Sequence, residues 1–138
     1  MNEVINNYGY PQQMLEHVFW GEIDSNDGCP KGFHCNRELG DERAEVVTET
    51  RAIISGGVFE CKVRSRSNGR LKRLNDGYST FFPESFTRQD ILDCLHNSIQ
   101  IDDILHQVNL GGEDIYINVH CRNREIITFY PIDPNEVI

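Results

Sequence analysis

Two histidines stand in local sequences that would let them act as a proton-transfer pair. His17 lies in the run LEHVFWGE at residues 15–22, and His34 follows a Lys-Gly-Phe tripeptide. Imidazole is the side chain whose unperturbed pKa lets it give or take a proton near neutral pH. Two imidazoles at one reacting centre suffice for one proton to leave and one to enter. Histidines are also common on surfaces and in cores, so the rest of the chain must decide the interpretation.

The cysteines offer a second kind of chemistry around His34. The chain has five, and Cys29 and Cys35 bracket the Gly-Phe-His segment. They would either close a short loop or join His34 as part of a zinc site. The paired Cys-x-x-Cys or His-x-x-x-His spacing of structural zinc sites is absent, and an odd, scattered set of cysteines argues against a disulfide framework. We therefore expect most of them as reduced thiols.

Length and composition indicate one domain. The chain has 138 residues, enough for a single core, and we expect one domain over 1–138. Within it, 1–43 would hold a helix and a loop carrying both histidines, and 44–138 the strands, a central helix and a terminal hairpin. No apolar run is long enough for a bilayer and the amino end lacks the pattern of a signal peptide. No membrane partner is expected. In a larger exported protein, the targeting signal would lie elsewhere in the chain.

Charged residues are unevenly distributed along the chain. Its formal net charge is −9, which disfavours a polyanionic partner. Residues 61–75, however, contain no acidic residue and six cations, namely Lys62, Arg64, Arg66, Arg70, Lys72 and Arg73. Either this stretch is a small basic patch for a short RNA segment, or it is a hairpin face whose cations pair with acidic neighbours.

The first half of the chain predicts a helix followed by hairpins. Pro11 can open a helix whose apolar residues, Met14, Leu15, Val18 and Phe19, share one face and place His17 near its last turns. Turn-forming residues at 24–30 put His34 after a loop. Strands are predicted at 44–54 and 58–65 around Ser-Gly-Gly, and a turn at 67–69 leads into a further strand at 70–74.

The second half predicts one long helix and a final hairpin. Thr87 and Asp90 form a capping pattern, and the buried stripe would comprise Ile91, Leu92, Leu95, Ile99 and Ile104. The hairpin covers 114–121 and 125–130, with Ile115, Ile117 and Val119 on one face and Tyr116, Asn118 and His120 on the other. His96, His106 and His120 are expected to be solvated. The predicted fold class is α+β with antiparallel sheets.

Four segments in order resemble the EndoU endoribonucleases, particularly their bacterial toxin branch. They are HVFWGE from His17, Gly-Phe-His at 32–34, the stretch from Lys72 to Pro83 containing STFFP, and TFYP at 128–131. The coronavirus uridylate-specific endoribonuclease is similar in the same order. The resemblance covers Leu15 to Pro131 and implies an EndoU-like, ribonuclease A-related fold.

The resemblance implies cleavage of single-stranded RNA, often beside uridine, with transfer RNA loops among the candidate targets. The ribose 2′-hydroxyl would attack the adjacent phosphate and leave 2′,3′-cyclic phosphate and 5′-hydroxyl ends. By the same resemblance His17 is the general acid and His34 the general base, although the two roles can be exchanged. The chemistry needs no cofactor, and although some relatives respond to manganese, no Asp/Glu cage here demands it. DNA is not expected as a substrate.

The remaining site residues are also carried over from the family. Its lysine matches Lys72 best, with Lys62 second and Lys31 too close to His34. Gly32 would either offer a backbone N–H to the phosphate or serve only the loop geometry. A group of residues would bind the nucleotide: Ser79 or Thr80 at the pyrimidine edge, and Thr128 and Tyr130 on one strand face.

We therefore expect an endoribonuclease toxin domain, the tip of a larger bacterial contact-delivered effector. It would act in the cytoplasm of the target cell and be neutralised at home by a cognate immunity protein. Two other classes remain: an acidic immunity or antitoxin-type binding protein without catalysis, and a zinc-dependent binding module using Cys29, His34 and Cys35.

Overall fold

The computed structural model describes residues 7–35, 43–110 and 112–136. Within these ranges the chain forms two α-helices, nine strands and two short 3-10 turns. In chain order the helices and strands are α1 (Gln12–Phe19), β1 (Glu22–Ile23), β2 (Pro30–Lys31), β3 (Ala44–Ser55), β4 (Val58–Ser65), β5 (Tyr78–Phe81), α2 (Arg88–Asn97), β6 (Ile99–Gln100), β7 (Leu105–Leu110), β8 (Glu113–Arg122) and β9 (Glu125–Ile132). All strand pairs are antiparallel, which confirms the α+β class.

Helix α1 forms where the sequence predicts it. Pro11 directly precedes it with φ −60°, the value to which its ring is restricted. The four predicted apolar residues, Met14, Leu15, Val18 and Phe19, are all buried. The helix ends before Gly21, which adopts φ +77°. His17 therefore lies in the last turn, beside the point where the chain changes direction.

Strands β1 and β2 pair as a two-stranded sheet, and β3, β4 and β5 form the first of the two larger sheets. The β3–β4 hairpin turns at Gly56 and Gly57, whose φ values of +60° and +86° are those of a type I′ turn. The predicted strand at 70–74 is wrong: only one isolated bridge, between Arg64 and Leu71, forms there. The third strand of this sheet is instead β5, which pairs with β4. One face of this sheet buries a core of Phe33, Ala44, Val46, Phe59, Cys61, Val63 and Phe81.

Helix α2 begins as predicted but ends sooner. The Thr87 side chain accepts from the Asp90 N–H at 3.0 Å, and Asp90 accepts from the Thr87 N–H at 2.9 Å, a complete capping box. The helix stops at Asn97, so the expectation that Ile99 and Ile104 extend its buried stripe is wrong. Ile99 belongs to the edge strand β6 and is 72% exposed. His106 lies in β7.

The second sheet has the order β6-β7-β8-β9. The predicted alternation on β8 is confirmed, because Ile115, Ile117 and Val119 are buried. They pack with α1, α2 and Phe129 into the larger core. Asn118 pairs with Tyr130 and His120 with Thr128, so these four side chains share the opposite face of the sheet. That face is available to form one wall of a site.

No helix within the described ranges is long and apolar enough to cross a membrane.

Candidate active site

The structure brings all eight candidate site residues to one cleft. Its volume is about 800 Å³, in the range of small-ligand sites. The candidates that line it are His17, Gly32, His34, Lys72, Ser79, Thr80, Thr128 and Tyr130. They come from α1, the segment after β2, the loop before β5, β5 itself and β9. These parts of the chain are spread from residue 17 to residue 130, so the cleft is a product of tertiary packing.

His17 is held by a carboxylate. Its Nδ1 lies 3.1 Å from Oε1 of Glu22, the first residue of β1. A carboxylate only accepts, so Nδ1 carries a hydrogen and Nε2 is left as the atom that exchanges a proton. Burial lowers the pKa of His17, and the charges of Lys72 and Lys31 lower it further. The Glu22 carboxylate opposes them and raises the His17 pKa.

His34 is fixed at both its backbone and its ring. Its N–H donates to the Val18 carbonyl at 2.7 Å, and its own carbonyl accepts from the Phe82 N–H at 3.1 Å. The ring Nδ1–H donates to the Thr80 carbonyl oxygen at 2.6 Å, so in the neutral ring Nε2 is the unprotonated nitrogen. The residue is buried, and burial together with the nearby Lys72 holds the pKa of His34 well below its ordinary 6.5. His34 is therefore a neutral base near neutral pH.

The segment carrying His34 has an uncommon backbone. Phe33 adopts φ +71°, a left-handed conformation that is strained for a bulky residue. Its ring is fully buried and packs edge-on against Phe81, with ring centroids 5.5 Å apart. Its N–H donates to the His17 carbonyl at 2.9 Å. Packing in the smaller core thus holds a turn that points His34 towards the cleft.

Gly32 allows this segment to approach α1. It adopts φ +73°, and a Cβ at this position would overlap the carbonyl oxygen of His17. The carbonyl of Gly32 accepts from the Ser79 hydroxyl at 3.1 Å. The loop-geometry interpretation of Gly32 is therefore sufficient to require glycine here. A role for its N–H at a phosphate stays a prediction.

The Lys72 side chain lines the cleft and is held by a buried serine, Ser79. Its Nζ donates to Ser79 Oγ at 2.7 Å, and the Ser79 hydroxyl in turn donates to the Gly32 carbonyl oxygen. Burial lowers the pKa of Lys72 to about 8. The other candidate, Lys62, lies instead over the Tyr78 ring, 5.6 Å from its centroid. Lys31 lines the cleft but pairs with Asp24 at 3.3 Å.

One wall of the cleft is the polar face of the second sheet, which contributes Asn118, Thr128 and Tyr130. Tyr130 stacks on His34 with ring centroids 5.2 Å apart, and Asn118 lies beside it on β8. The hydroxyl of Thr128 is buried and has no hydrogen-bond partner among the described residues. A buried hydroxyl without a partner is costly unless a ligand satisfies it. This wall is therefore suited to a polar ligand.

Comparison with known proteins identifies the family of this chain. The family model described as bacterial EndoU nuclease matches residues 11–133. The chain belongs to the bacterial EndoU nuclease family. A curated protein of Bacillus cereus named "Toxin" is 28% identical over 95% of this chain, which spans about 25% of that protein's length. No solved structure matches.

The charge around the cleft of this EndoU domain is mixed. The basic stretch at 61–75 is largely paired, since Arg64 and Arg66 both contact Glu45 and Arg73 contacts Asp27. Four carboxylates also line the cleft without an ion pair in the described part of the chain: Glu60, Asp76, Asp133 and Glu136. The cleft is therefore not a basic groove, and Lys72 is its main buried cation.

The cysteine alternatives find no support in the EndoU fold. All five cysteines lie in the described ranges and none forms a disulfide. Nδ1 of His34 is engaged by Thr80, and within the described residues no group of three or more His, Cys, Asp and Glu side chains is arranged to hold a metal ion. The loop-closing disulfide at Cys29 and Cys35 is not present.

Sequence reasoning missed two residues beside this EndoU site. Glu22 ends the HVFWGE segment, and its distance of five residues from His17 places it across the turn that follows α1. His120 is expected to be solvated but bonds the Tyr130 hydroxyl at 3.0 Å, so that expectation is wrong. The alternation on β8 already put His120 on the face of Asn118, which was the available signal.

Proposed function

We propose that this chain is an endoribonuclease domain that cuts single-stranded RNA through attack of the 2′-hydroxyl on the adjacent phosphate. The observation that carries the proposal is that the two histidines have the same hydrogen-bonding arrangement. Each has its Nδ1–H engaged, by Glu22 and by the Thr80 carbonyl, and each keeps Nε2 for proton transfer in a cleft shared with Lys72. Two such imidazoles and one cation are what a transesterification at phosphorus requires.

The protonation states that the surroundings of the two histidines favour support an assignment of the general acid and the general base. Nε2 of neutral His34 would take the proton of the 2′-hydroxyl as its oxygen bonds to phosphorus. Nε2–H of protonated His17, whose charge Glu22 favours, would give a proton to the 5′ oxygen as the P–O5′ bond breaks. The products are a 2′,3′-cyclic phosphate and a 5′-hydroxyl. Lys72 would stabilise the negative charge on the phosphorane oxygens, with the Gly32 N–H as a second donor.

The polar wall would hold the nucleotide. The hydroxyl of Ser79 is already committed to Lys72 and Gly32, so we assign Ser79 to positioning the lysine and Thr80 to the pyrimidine edge. The unpartnered hydroxyl of Thr128 and the ring of Tyr130 would contact the ribose and base. A preference for uridine, a transfer RNA loop as target and a ribonuclease A-related arrangement of the two sheets are parts of the same proposal.

The biological setting is that of a delivered toxin. The support is the relative named "Toxin", of which this chain matches about a quarter. We propose that the domain is the tip of a larger effector, acts in the cytoplasm of the target cell and is blocked by a cognate immunity protein. A non-catalytic, acidic binding protein is the second candidate, and the four unpaired carboxylates of the cleft favour it.

A cleavage assay separates these candidates. We expect the protein to cut a labelled oligonucleotide containing one uridine, and end-group analysis to find a 2′,3′-cyclic phosphate. His17→Ala and His34→Ala should each lower the rate at least about 100-fold, and Lys72→Ala by a similar factor. A substrate with 2′-deoxyuridine at that position should stay intact, because it lacks the nucleophile.

Lys62→Ala is the matched control, since this lysine comes from the same basic stretch but lies over Tyr78. It should cut at nearly the normal rate, as should the unaltered protein in excess EDTA if no cofactor is needed. Loss of activity in Lys62→Ala with retention in Lys72→Ala would reverse the lysine assignment. Absence of cleavage by the unaltered protein would favour the binding-protein candidate.

A further inference from the structure

One side of Tyr130 faces a residue that the proposed mechanism does not use. Two imidazoles contact the Tyr130 ring: the centroid of the His34 ring is 5.2 Å from its centroid at an interplanar angle of 25°, and that of the His120 ring 5.6 Å at 26°. Nε2 of His120 is also 3.0 Å from the Tyr130 hydroxyl. Tyr130 therefore contacts both the buried His34 and His120 on β8.

The position of His120 excludes a simple packing role. It lies on the polar face of β8, opposite Thr128, whereas the neighbouring Val119 points into the larger core. The other histidines of the second half have partners elsewhere: His96 stacks on Tyr8, and His106 bonds the Ser98 hydroxyl. Within the described residues, His120 alone among these three contacts a residue that lines the cleft.

We propose that His120 is a positioning residue that sets where the Tyr130 ring stands against His34. A tyrosine side chain turns about two bonds, and a hydrogen bond at its far end restricts both. With the ring fixed, Tyr130 shields one face of His34 and forms the surface on which a nucleotide would lie beside His34 Nε2. A shift of about 1 Å in such a surface lowers the rate of reaction even where binding persists.

This inference rests on the proposed function, so the test measures cleavage of the single-uridine oligonucleotide. We expect His120→Ala to lower kcat at least about 10-fold while KM changes less than about 3-fold, because Lys72 still binds the phosphate. In a Tyr130→Phe background, His120→Ala should have little further effect, since the hydroxyl that His120 holds is already absent. His120→Gln, whose amide can reach the same hydroxyl, should recover most of the activity.

His106→Ala is the matched control, because His106 lies on the same sheet and also bonds a hydroxyl, that of Ser98 at the end of α2, but does not line the cleft. It should cleave normally, and thermal unfolding should show all variants folded. Normal kcat in His120→Ala, or a loss that is just as large in the Tyr130→Phe background, would overturn the inference alone. A protein that cleaves no RNA in its unaltered form would overturn the proposed function and this inference with it.

Discussion

At the residue scale, the two histidines differ in what engages their Nδ1 atoms. His17 faces the charged carboxylate of Glu22, whereas His34 faces the neutral Thr80 carbonyl. A carboxylate stabilises the imidazolium form far more than a carbonyl dipole does. His17 therefore keeps more of its protonated form and His34 more of its neutral form, although burial lowers the pKa of both; these are the states that the proposed acid and base require.

Removing the Glu22 charge should shift the pH profile in a known direction. The proposed acid His17 must be protonated, so its pKa sets the basic limb of kcat/KM, and His34 sets the acidic limb. Glu22 raises the His17 pKa. Glu22→Gln keeps a hydrogen-bond acceptor but loses the charge, so we expect the basic limb to move down by about one pH unit.

The measurement is the pH dependence of kcat/KM for oligonucleotide cleavage. Glu16→Gln is its control, because Glu16 pairs with Arg43 at 2.9 Å rather than with a histidine. Its profile should match that of the unaltered protein. A basic limb that stays in place in Glu22→Gln would assign the acid to another group.

At the element scale, the end of α1 and the segment 32–35 are one unit. The final carbonyls of a helix lack partners within the helix. Here the His17 and Val18 carbonyls accept from the N–H groups of Phe33 and His34. The hydrogen bonds that complete α1 are thus the same ones that set the two histidines relative to each other. Close approach of the two backbones requires glycine at position 32.

Gly32→Ala should therefore lower the unfolding free energy by more than the strain of a left-handed alanine alone. A left-handed alanine costs about 1 kcal/mol, and the overlap of its Cβ with the His17 carbonyl adds to that. We expect a loss of unfolding free energy of at least about 2 kcal/mol, together with loss of cleavage. Equilibrium unfolding in urea measures the first quantity.

The control for this substitution is Gly69→Ala. Gly69 has φ +74°, almost equal to the +73° of Gly32, but among the described residues no atom beyond its own chain neighbours lies within 4 Å of the Cβ position. It should lose only about 1 kcal/mol. Equal losses at the two positions would show that the approach of segment 32–35 to α1 is not as close as described.

At the scale of the whole molecule, a chain of net charge −9 places a half-buried cation, Lys72, in one cleft with two histidines. Most of the other cations of the basic stretch are paired, and carboxylates line the cleft. Binding of RNA would therefore depend on a few buried contacts instead of a broad basic surface. Burial of Lys72 is a cost to the folded state as a whole.

Lys72→Met should make the protein more stable and inactive. The Lys72 pKa is about 8 in the folded state against its ordinary 10.5, so folding disfavours the charged form. This cost is fully present below about pH 8 and disappears as the pH rises through 10.5, because the unfolded chain then also loses the proton. At pH 7 we expect a gain on the order of 1–3 kcal/mol in unfolding free energy.

Urea unfolding at pH 7 and at pH 10.5 tests this directly, with Lys62→Met as the control, because Lys62 is also half-buried but lies over the Tyr78 ring and does not line the cleft. The advantage of Lys72→Met should shrink at the higher pH. A variant that is destabilised at pH 7 would mean that the bond from Lys72 to Ser79 outweighs the burial cost.

Local patterns predicted the elements that depend on neighbouring residues. The apolar face of α1, the Thr87 cap of α2 and the alternation of β8 all formed as expected, because each is satisfied within a few residues. The end of α2 did not form where it was expected. Ile99 and Ile104 continue the helical spacing, yet pairing of β6 with β7 stops the helix at Asn97. A strand partner distant in sequence decided that boundary.

The sequence by itself determined the residue types and motifs of the site, and the family to which they belong, because these are properties of the order of residues. Tertiary structure alone decided how they are held: Glu22 on His17, Ser79 on Lys72 and His120 on Tyr130. Each of these contacts is made where separate elements pack together. Hydrogen-bond partners and burial, which set proton affinity, exist only once the two cores have brought those elements into contact.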